Sequence, residues 1–219
     1  MFRVVVYAEG PGELSGWDTT RQRAPTTPLT ENELGAAHLL VRRCLERSRG
    51  LAPESIRFEE PLRTPRGKLA RGSMLHSRDT LQQLLTWPDE ELMPHLAIVL
   101  VDADGKQEER RQELNSAFES LVVEAVAAVA LQEFEAWLIA DGEAVKSVLR
   151  KPLAPPKSPE SLARRQAKEL LQQWSDAHAS SKDPADIRRQ LAQECDLDTL
   201  ARECPAFAEF LRGLGSARS

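Results

Sequence analysis

Two aspartates one residue apart close an apolar run, Leu96-Ala-Ile-Val-Leu-Val-Asp102-Ala-Asp104-Gly105. Such a run, ended by acids and a glycine, reads as a buried parallel strand that delivers charge at its carboxyl end. Side chains alternate along a strand, so Asp102 and Asp104 are expected to leave on one side, close enough to share a cation. Gly105 lets the chain turn sharply. Open α/β sheets take their ligands beyond the carboxyl ends of the strands, which makes the pair a candidate site. The competing reading is a solvated turn with a helix cap.

Two further stretches bring acids to similar places. Phe2-Arg-Val-Val-Val-Tyr-Ala8 is β-branched and ends in Glu9-Gly-Pro-Gly-Glu13, where Glu9 is either a metal- or proton-handling acid or a solvated turn residue. No Gly-x-Gly-x-x-Gly or Gly-Lys-Ser/Thr pattern follows, so a phosphate cradle is not indicated. Leu121 to Leu131 leads into Gln132-Glu133-Phe-Glu135-Ala-Trp137-Leu-Ile-Ala-Asp141. Glu135 and Trp137 are there either a helix start and a core aromatic or part of a site.

Positive charge concentrates in Arg63-Thr-Pro-Arg66-Gly-Lys68-Leu-Ala-Arg71-Gly72, which contains no acid. Arg66, Lys68 and Arg71, with Lys106 just past Gly105, are the candidate phosphate contacts; a solvated loop is the alternative.

The elements that must position these residues follow from pattern. Strands are expected at 2–8, 55–59, 96–102 and 121–131, the last against the helix propensity of its alanines. Thr30 and Glu33 form a capping box, after which Leu34, Ala37, His38, Val41 and Leu45 recur at helical spacing, predicting a helix over 31–49 with His38 as a core residue. Further helices are expected at 77–85 and, strongly charged, at 106–118. The segment 15–28 reads as a loop over the site, with Trp17 packing it down or meeting a ligand. Four prolines in 152–159 mark a boundary, beyond which thinly apolar helices cover 160–177, 184–194 and 197–214, interrupted at Pro205. The expected division is an α/β domain over 1–150, a Pro-rich linker over 151–159 and a helical region over 160–219 that packs on the first domain.

With 219 residues the chain can bury a substantial core, and its net charge of −5 argues against coating nucleic acid by bulk charge while allowing a local basic patch. No membrane-length apolar stretch or signal segment is present, so a cytoplasmic location is expected. Cys44, Cys195 and Cys204 have no Cys-x-x-Cys spacing and suggest neither disulfides nor zinc.

A strand-1 glutamate followed by glycine, a later strand ending in Asp-x-Asp-Gly, and the α/β alternation between them resemble the Toprim domain of topoisomerases, primases and nucleases of the overcoming-lysogenization-defect type. Val-Val-Val-Tyr-Ala-Glu-Gly, Val-Leu-Val-Asp-Ala-Asp-Gly, Gln-Glu-Phe-Glu-Ala-Trp-Leu-Ile-Ala-Asp and Cys-Pro-Ala-Phe-Ala-Glu-Phe-Leu together look like the prokaryotic Toprim-like DUF4276 proteins. These are similar to RloB-type proteins encoded beside ABC-type or AAA-type ATPases in anti-phage loci.

The resemblance implies a Toprim-like Rossmannoid, mostly parallel sheet flanked by helices, with a C-terminal helical appendage. It implies that Glu9 is a general acid/base or metal ligand and that Asp102 and Asp104 hold Mg²⁺, with Mn²⁺ as an alternative. Glu13 matches a second acid, and Glu135 becomes a further site acid; the role of Glu133 stays open. The chain departs from the pattern at Gly10-Pro11-Gly12, where the prolyl insertion alters the turn, and its single tyrosine, Tyr7, lies inside strand 1 rather than in a topoisomerase context.

Mg²⁺ takes oxygen ligands and keeps several waters, so Glu9, Asp102 and Asp104 would suffice as the protein's share of a centre that attacks a phosphodiester. The expected function is a metal-dependent Toprim-type nuclease in anti-phage defence, acting on DNA or RNA under an ATPase partner, with a homo-oligomer as a further option and no membrane association. The alternative is a non-catalytic regulatory or scaffold subunit of such a complex. A phosphotransferase with an aspartyl nucleophile fits less well, because its lysine and second acid have no place here.

Overall fold

The structure, a computed structural model, describes residues 1–14, 27–179 and 182–216. Strands β1 (Phe2–Ala8), β2 (Ile56–Glu59), β3 (Leu96–Asp102) and β4 (Glu124–Ala130) form one parallel sheet in the order β2-β1-β3-β4. From β1 the chain goes outward to β2 and then returns to place β3 on the other side of β1. The strand order therefore reverses between β1 and β3, where their carboxyl ends open a crevice. Register pairs Ala8 with Leu100, so Glu9 and Asp102 leave the sheet as near neighbours at that crevice.

The sheet is buried on both faces, which explains why β3 is apolar without alternation. Val4, Val6, Leu96, Ile98 and Leu100 share one apolar cluster with α2 (Ala36–Arg49), α8 (Pro184–Glu194) and α10 (Pro205–Ser216). Val5, Tyr7, Ala97, Val99 and Val101 belong to the other, with α3 (Arg78–Leu85) and α4 (Gln107–Phe118). Tyr7 has no access to solvent, and its hydroxyl donates to the Leu84 carbonyl at 2.9 Å. No helix among the described residues is long and apolar enough to cross a membrane.

The alanine-rich run at 121–131 contains the strand β4, as its place between helices requires. α10 packs close on it through a glycine: a Cβ on Gly213 would stand 3.5 Å from Val126 Cγ1. Tertiary packing thus outweighs the helix propensity of alanine.

The helix expected from residue 31 begins later. Glu33 accepts from the Thr30 N–H at 2.8 Å and hydroxyl at 2.9 Å, but that reciprocal cap closes only a 3₁₀ turn, Glu31–Glu33. Gly35 then breaks the path, and α2 starts at Ala36 with His38 Nδ1 accepting from the Gly35 N–H at 3.1 Å. His38 is wholly buried, and burial followed by the nearby Arg42 lowers its pKa to about 3. It is a neutral core residue, as expected.

Five more α-helices lie among the described residues. α1 (Pro11–Leu14) is a single turn after β1, and another one-turn helix, α5 (Glu135–Leu138), follows β4 and precedes α6 (Gly142–Leu149), α7 (Gln166–His178) and α9 (Leu197–Glu203). Trp137 is buried against Phe134, Phe207 and Phe210 with ring centroids 5.9, 5.3 and 6.1 Å away. Its indole N–H donates to Glu160 Oε1 at 2.6 Å, and Glu160 Oε2 accepts from the Ala206 N–H at 3.0 Å, fastening α5 to the start of α10. Asp141 caps α6 and also accepts from the Asp196 N–H at 2.7 Å, so this acid of the Glu-Ala-Trp-Leu-Ile-Ala-Asp stretch joins elements together. Trp17 lies outside the described residues.

Candidate active site

The crevice between β1 and β3 gathers carboxylates. Glu9 is the first residue past β1, and its Oε2 accepts from the Asp102 backbone N–H at 3.0 Å. Asp102 is the last residue of β3, and its Oδ1 accepts from the Phe134 N–H at 3.0 Å. Strand alternation puts the Asp102 side chain on the same face of the sheet as Ile98 and Leu100.

Pro11 begins α1, a position that suits proline because its missing N–H is not needed there. The turn folds Glu13 back so that the Gly10 N–H donates to its Oε2. A Cβ on Gly10 would lie 2.5 Å from Glu13 Oε1, so the position after Glu9 has to be glycine for Glu13 to return. The Pro-Gly insertion therefore brings the second acid into the crevice. Glu13 is buried, and its pKa is pushed up to about 7 by burial first and by the charge of Glu135 next. Asp102 rises to about 8, again through burial first and then through Glu13, Glu9 and Glu135. Four acids thus feel one another at this sheet edge.

Glu135 and Glu133 flank Phe134, whose N–H meets Asp102. Glu135 is 3% exposed and its Oε1 lies 3.1 Å from Arg188 Nε of α8, a buried ion pair. Glu133 accepts from the Lys168 N–H at 3.1 Å; burial raises its pKa, with Glu135 adding to the effect. Arg188 is a site-wall residue that motif reading does not reach. Its only signal is a cation among the buried Ile187, Leu191 and Ala192 of an otherwise amphipathic helix.

Asp104 stands differently from the expectation. The strand ends at Asp102 and Asp104 has φ 49°, so the two-residue alternation that would place both aspartates on one side no longer applies. Its side chain is 48% exposed and lies 2.9 Å from Arg164 Nε. Lys106 is exposed, 3.4 Å from Glu109.

Arg66 is exposed on the loop after β2, while Lys68 and Arg71 show intermediate or greater exposure beside it. Arg63 turns away to Glu60, with Nη2 2.6 Å from its Oε1. The loop reaches the acids: the Gly72 N–H donates to the Glu9 carbonyl at 3.1 Å. The 3₁₀ turn Gly72–His76 follows, and His76 Nε2 contacts Glu9 Oε1. A single histidine after a basic loop carries no spacing signal, so His76 is legible only in three dimensions.

The donor set suits a hard divalent cation in chemistry, since it is all carboxylate oxygen, and Asp102 and Glu13 are raised by burial and then by the charges of neighbouring acids. Among the described residues no group of three or more His, Cys, Asp or Glu side chains is already arranged around a metal position.

The family model described as "Domain of unknown function (DUF4276)" matches residues 36–215, a span that includes Asp102, Asp104 and Glu135 and leaves out Glu9 and Glu13. Among solved structures, the C-terminal region of the Burkholderia pseudomallei OLD protein is similar over 97% of this chain and 98% of that chain, at 13% identity and a TM-score of 0.43. The curated proteins contain no match.

Proposed function

The chain belongs to the DUF4276 family, and on that premise we propose that it is a metal-dependent nuclease of the Toprim type, hydrolysing phosphodiesters in anti-phage defence under an ATPase partner. The observation that carries the reading is the convergence of Glu9, Glu13, Asp102 and Glu135 at the crevice between β1 and β3, with Glu13 raised to about 7 and Asp102 to about 8. Like charges held together at a strand-order reversal mark a place for a cation and for proton transfer.

Glu9 and Asp102 would hold the metal, and Asp104 would join on leaving Arg164. A bound Mg²⁺ supplies charge stabilisation at phosphoryl oxygens and a water more acidic than bulk. Glu13, titrating near neutrality, can take and return a proton at its carboxylate. The Phe134 N–H fixes Asp102, and Arg188 holds Glu135. Arg66 and Lys68 lie on the loop that leads to Glu9 and would hold flanking phosphates, giving an acidic protein a local place for nucleic acid.

A second reading, a non-catalytic regulatory subunit, is favoured by the contacts that already occupy three of the acids: Glu9 with His76, and the ion pairs of Asp104 with Arg164 and Glu135 with Arg188. A cleavage assay on labelled single- and double-stranded DNA and RNA separates the two. Cleavage that requires Mg²⁺ or Mn²⁺ and disappears in Asp102→Asn is expected. Absence of cleavage with either metal, with and without an ATPase encoded beside this chain, would leave the regulatory reading.

A further inference from the structure

We infer that His76 is a positioning residue of the acidic site, holding the Glu9 carboxylate in the orientation that serves a cation. This rests on the metal-dependent reading above and adds to it a residue from outside the acid-bearing strands.

Glu9 lies just past the end of its strand, where the sheet ladder no longer fixes it, yet it is pinned at three atoms. Its carbonyl accepts from the Gly72 N–H at 3.1 Å, its Oε2 accepts from the Asp102 N–H at 3.0 Å, and its Oε1 is in contact with His76 Nε2. Two of those atoms belong to the carboxylate, and only one of the two groups that hold it is main chain. His76 is therefore the one side chain in this set that a substitution can remove without altering the sheet.

The imidazole is committed to this contact. Its Nε2 is sealed from solvent and makes no aligned hydrogen bond, so the Glu9 carboxylate is what it meets, although the side chain as a whole keeps 22% of its exposure. A polar nitrogen buried in such a place needs a reason, since burial without a well-formed partner costs free energy. Contact with the carboxylate that ends β1, at a crevice where acids gather, is such a reason. Local structure supports it: Leu75 is wholly buried in the α3–α4 cluster and anchors the turn that carries His76 to Glu9.

The same turn begins where the basic loop ends. Gly72 is both the last residue of that loop and the donor to the Glu9 carbonyl. The segment that would meet phosphates and the side chain that orients the acid are thus one continuous piece of backbone, joined through the turn Gly72–His76.

The test is a calorimetric titration of the full chain with Mn²⁺ alone, for wild type, His76→Gln and His76→Leu, with thermal unfolding of each in EDTA. Gln presents an amide N–H near the place of Nε2, whereas Leu fills similar volume without one. Expected are an affinity loss of about tenfold or more in His76→Leu, corresponding to roughly 1.4 kcal/mol, affinity within about threefold of wild type in His76→Gln, and unchanged unfolding temperatures. Wild-type binding matched by His76→Leu would overturn the inference and leave the metal-dependent reading standing. Equal losses in both variants would also overturn it, because a polar group at Nε2 would then not be what matters. Absence of Mn²⁺ binding in the wild type would overturn the metal-dependent reading and this inference with it. Should His76→Leu fail to fold, His76→Asn, whose shorter amide stops short of Glu9, takes its place with the same expected loss.

Discussion

Asp102 donates its backbone N–H to Glu9 Oε2 at 3.0 Å, so the acid that ends β1 is held by the main chain of the acid that ends β3. The two carboxyl groups are near each other because sheet register puts their residues there, against their mutual repulsion. Sheet packing supplies the free energy that keeps them together, and the site is left with a stored preference for protons or cations.

That preference gives a pH dependence of fixed sign. Asp102 is raised to about 8 and Glu13 to about 7 in the folded chain, both above their ordinary carboxylate range. The folded state therefore keeps protons that the unfolded chain releases. The resulting stabilisation is complete below the ordinary carboxylate range and is lost as pH rises through about 7 and about 8. In EDTA, the unfolding temperature of wild type should fall between about pH 5 and about pH 8.5 relative to that of the Glu13→Gln/Asp102→Asn double variant. Parallel curves for the two proteins would contradict the coupling.

The aspartates of the Asp-x-Asp pair should separate in their effects. Asp102→Asn relieves repulsion inside the crevice and should leave metal-free stability equal or higher, while abolishing stabilisation by Mn²⁺ at about pH 8. Asp104→Asn breaks a pair whose Arg164 side is 71% exposed, so metal-free stability should move by no more than about 1 kcal/mol. Urea unfolding with and without Mn²⁺ reads both. A clear loss of metal-free stability in Asp102→Asn would make that acid structural.

Arg188 is expected to be the costliest of the site-wall residues to remove. Arg188→Met leaves Glu135 buried without its cation, which should cost about 3–5 kcal/mol in urea unfolding. Adding Glu135→Gln should recover most of the loss. Equal destabilisation in the single and double variants would show that the pair matters through packing rather than charge.

Phosphate contact by the loop after β2 has a salt signature. Replacing Arg66, Lys68 and Arg71 with alanine should weaken oligonucleotide binding across sequences and lower the slope of log affinity against log salt by roughly 0.7 to 0.9 per lost contact. Mn²⁺ binding at the carboxylates should persist. Titrations of a labelled oligonucleotide at several salt concentrations, in EDTA so that nothing is cleaved, give affinity and slope; a separate Mn²⁺ titration checks the carboxylates. Unchanged affinity and slope would make the loop a solvated connection.

Much of the frame is determined by local sequence. The runs 2–8 and 96–102 become β1 and β3 with the expected bounds, because residues buried on both faces must be apolar throughout and acids can appear only where the strand emerges. Pro205 interrupts the last helical stretch as expected, with α9 ending before it and α10 starting on it. Elsewhere local signals are sound in themselves while marking a smaller element: Thr30 and Glu33 make their cap, yet close only a 3₁₀ turn before Gly35 redirects the chain.

What the sequence alone determined is that acids stand at the ends of two apolar strands, since burial makes that pattern legible in residue types. Which acids share a site was decided by tertiary structure. Asp104 is two residues from Asp102, yet its left-handed backbone conformation turns it out to Arg164. Glu13, Glu135, Arg188 and His76 reach the same crevice from four separate segments. Coulomb forces and contacts depend on distance through space, and spacing along the chain does not record it until the order β2-β1-β3-β4 has closed the crevice.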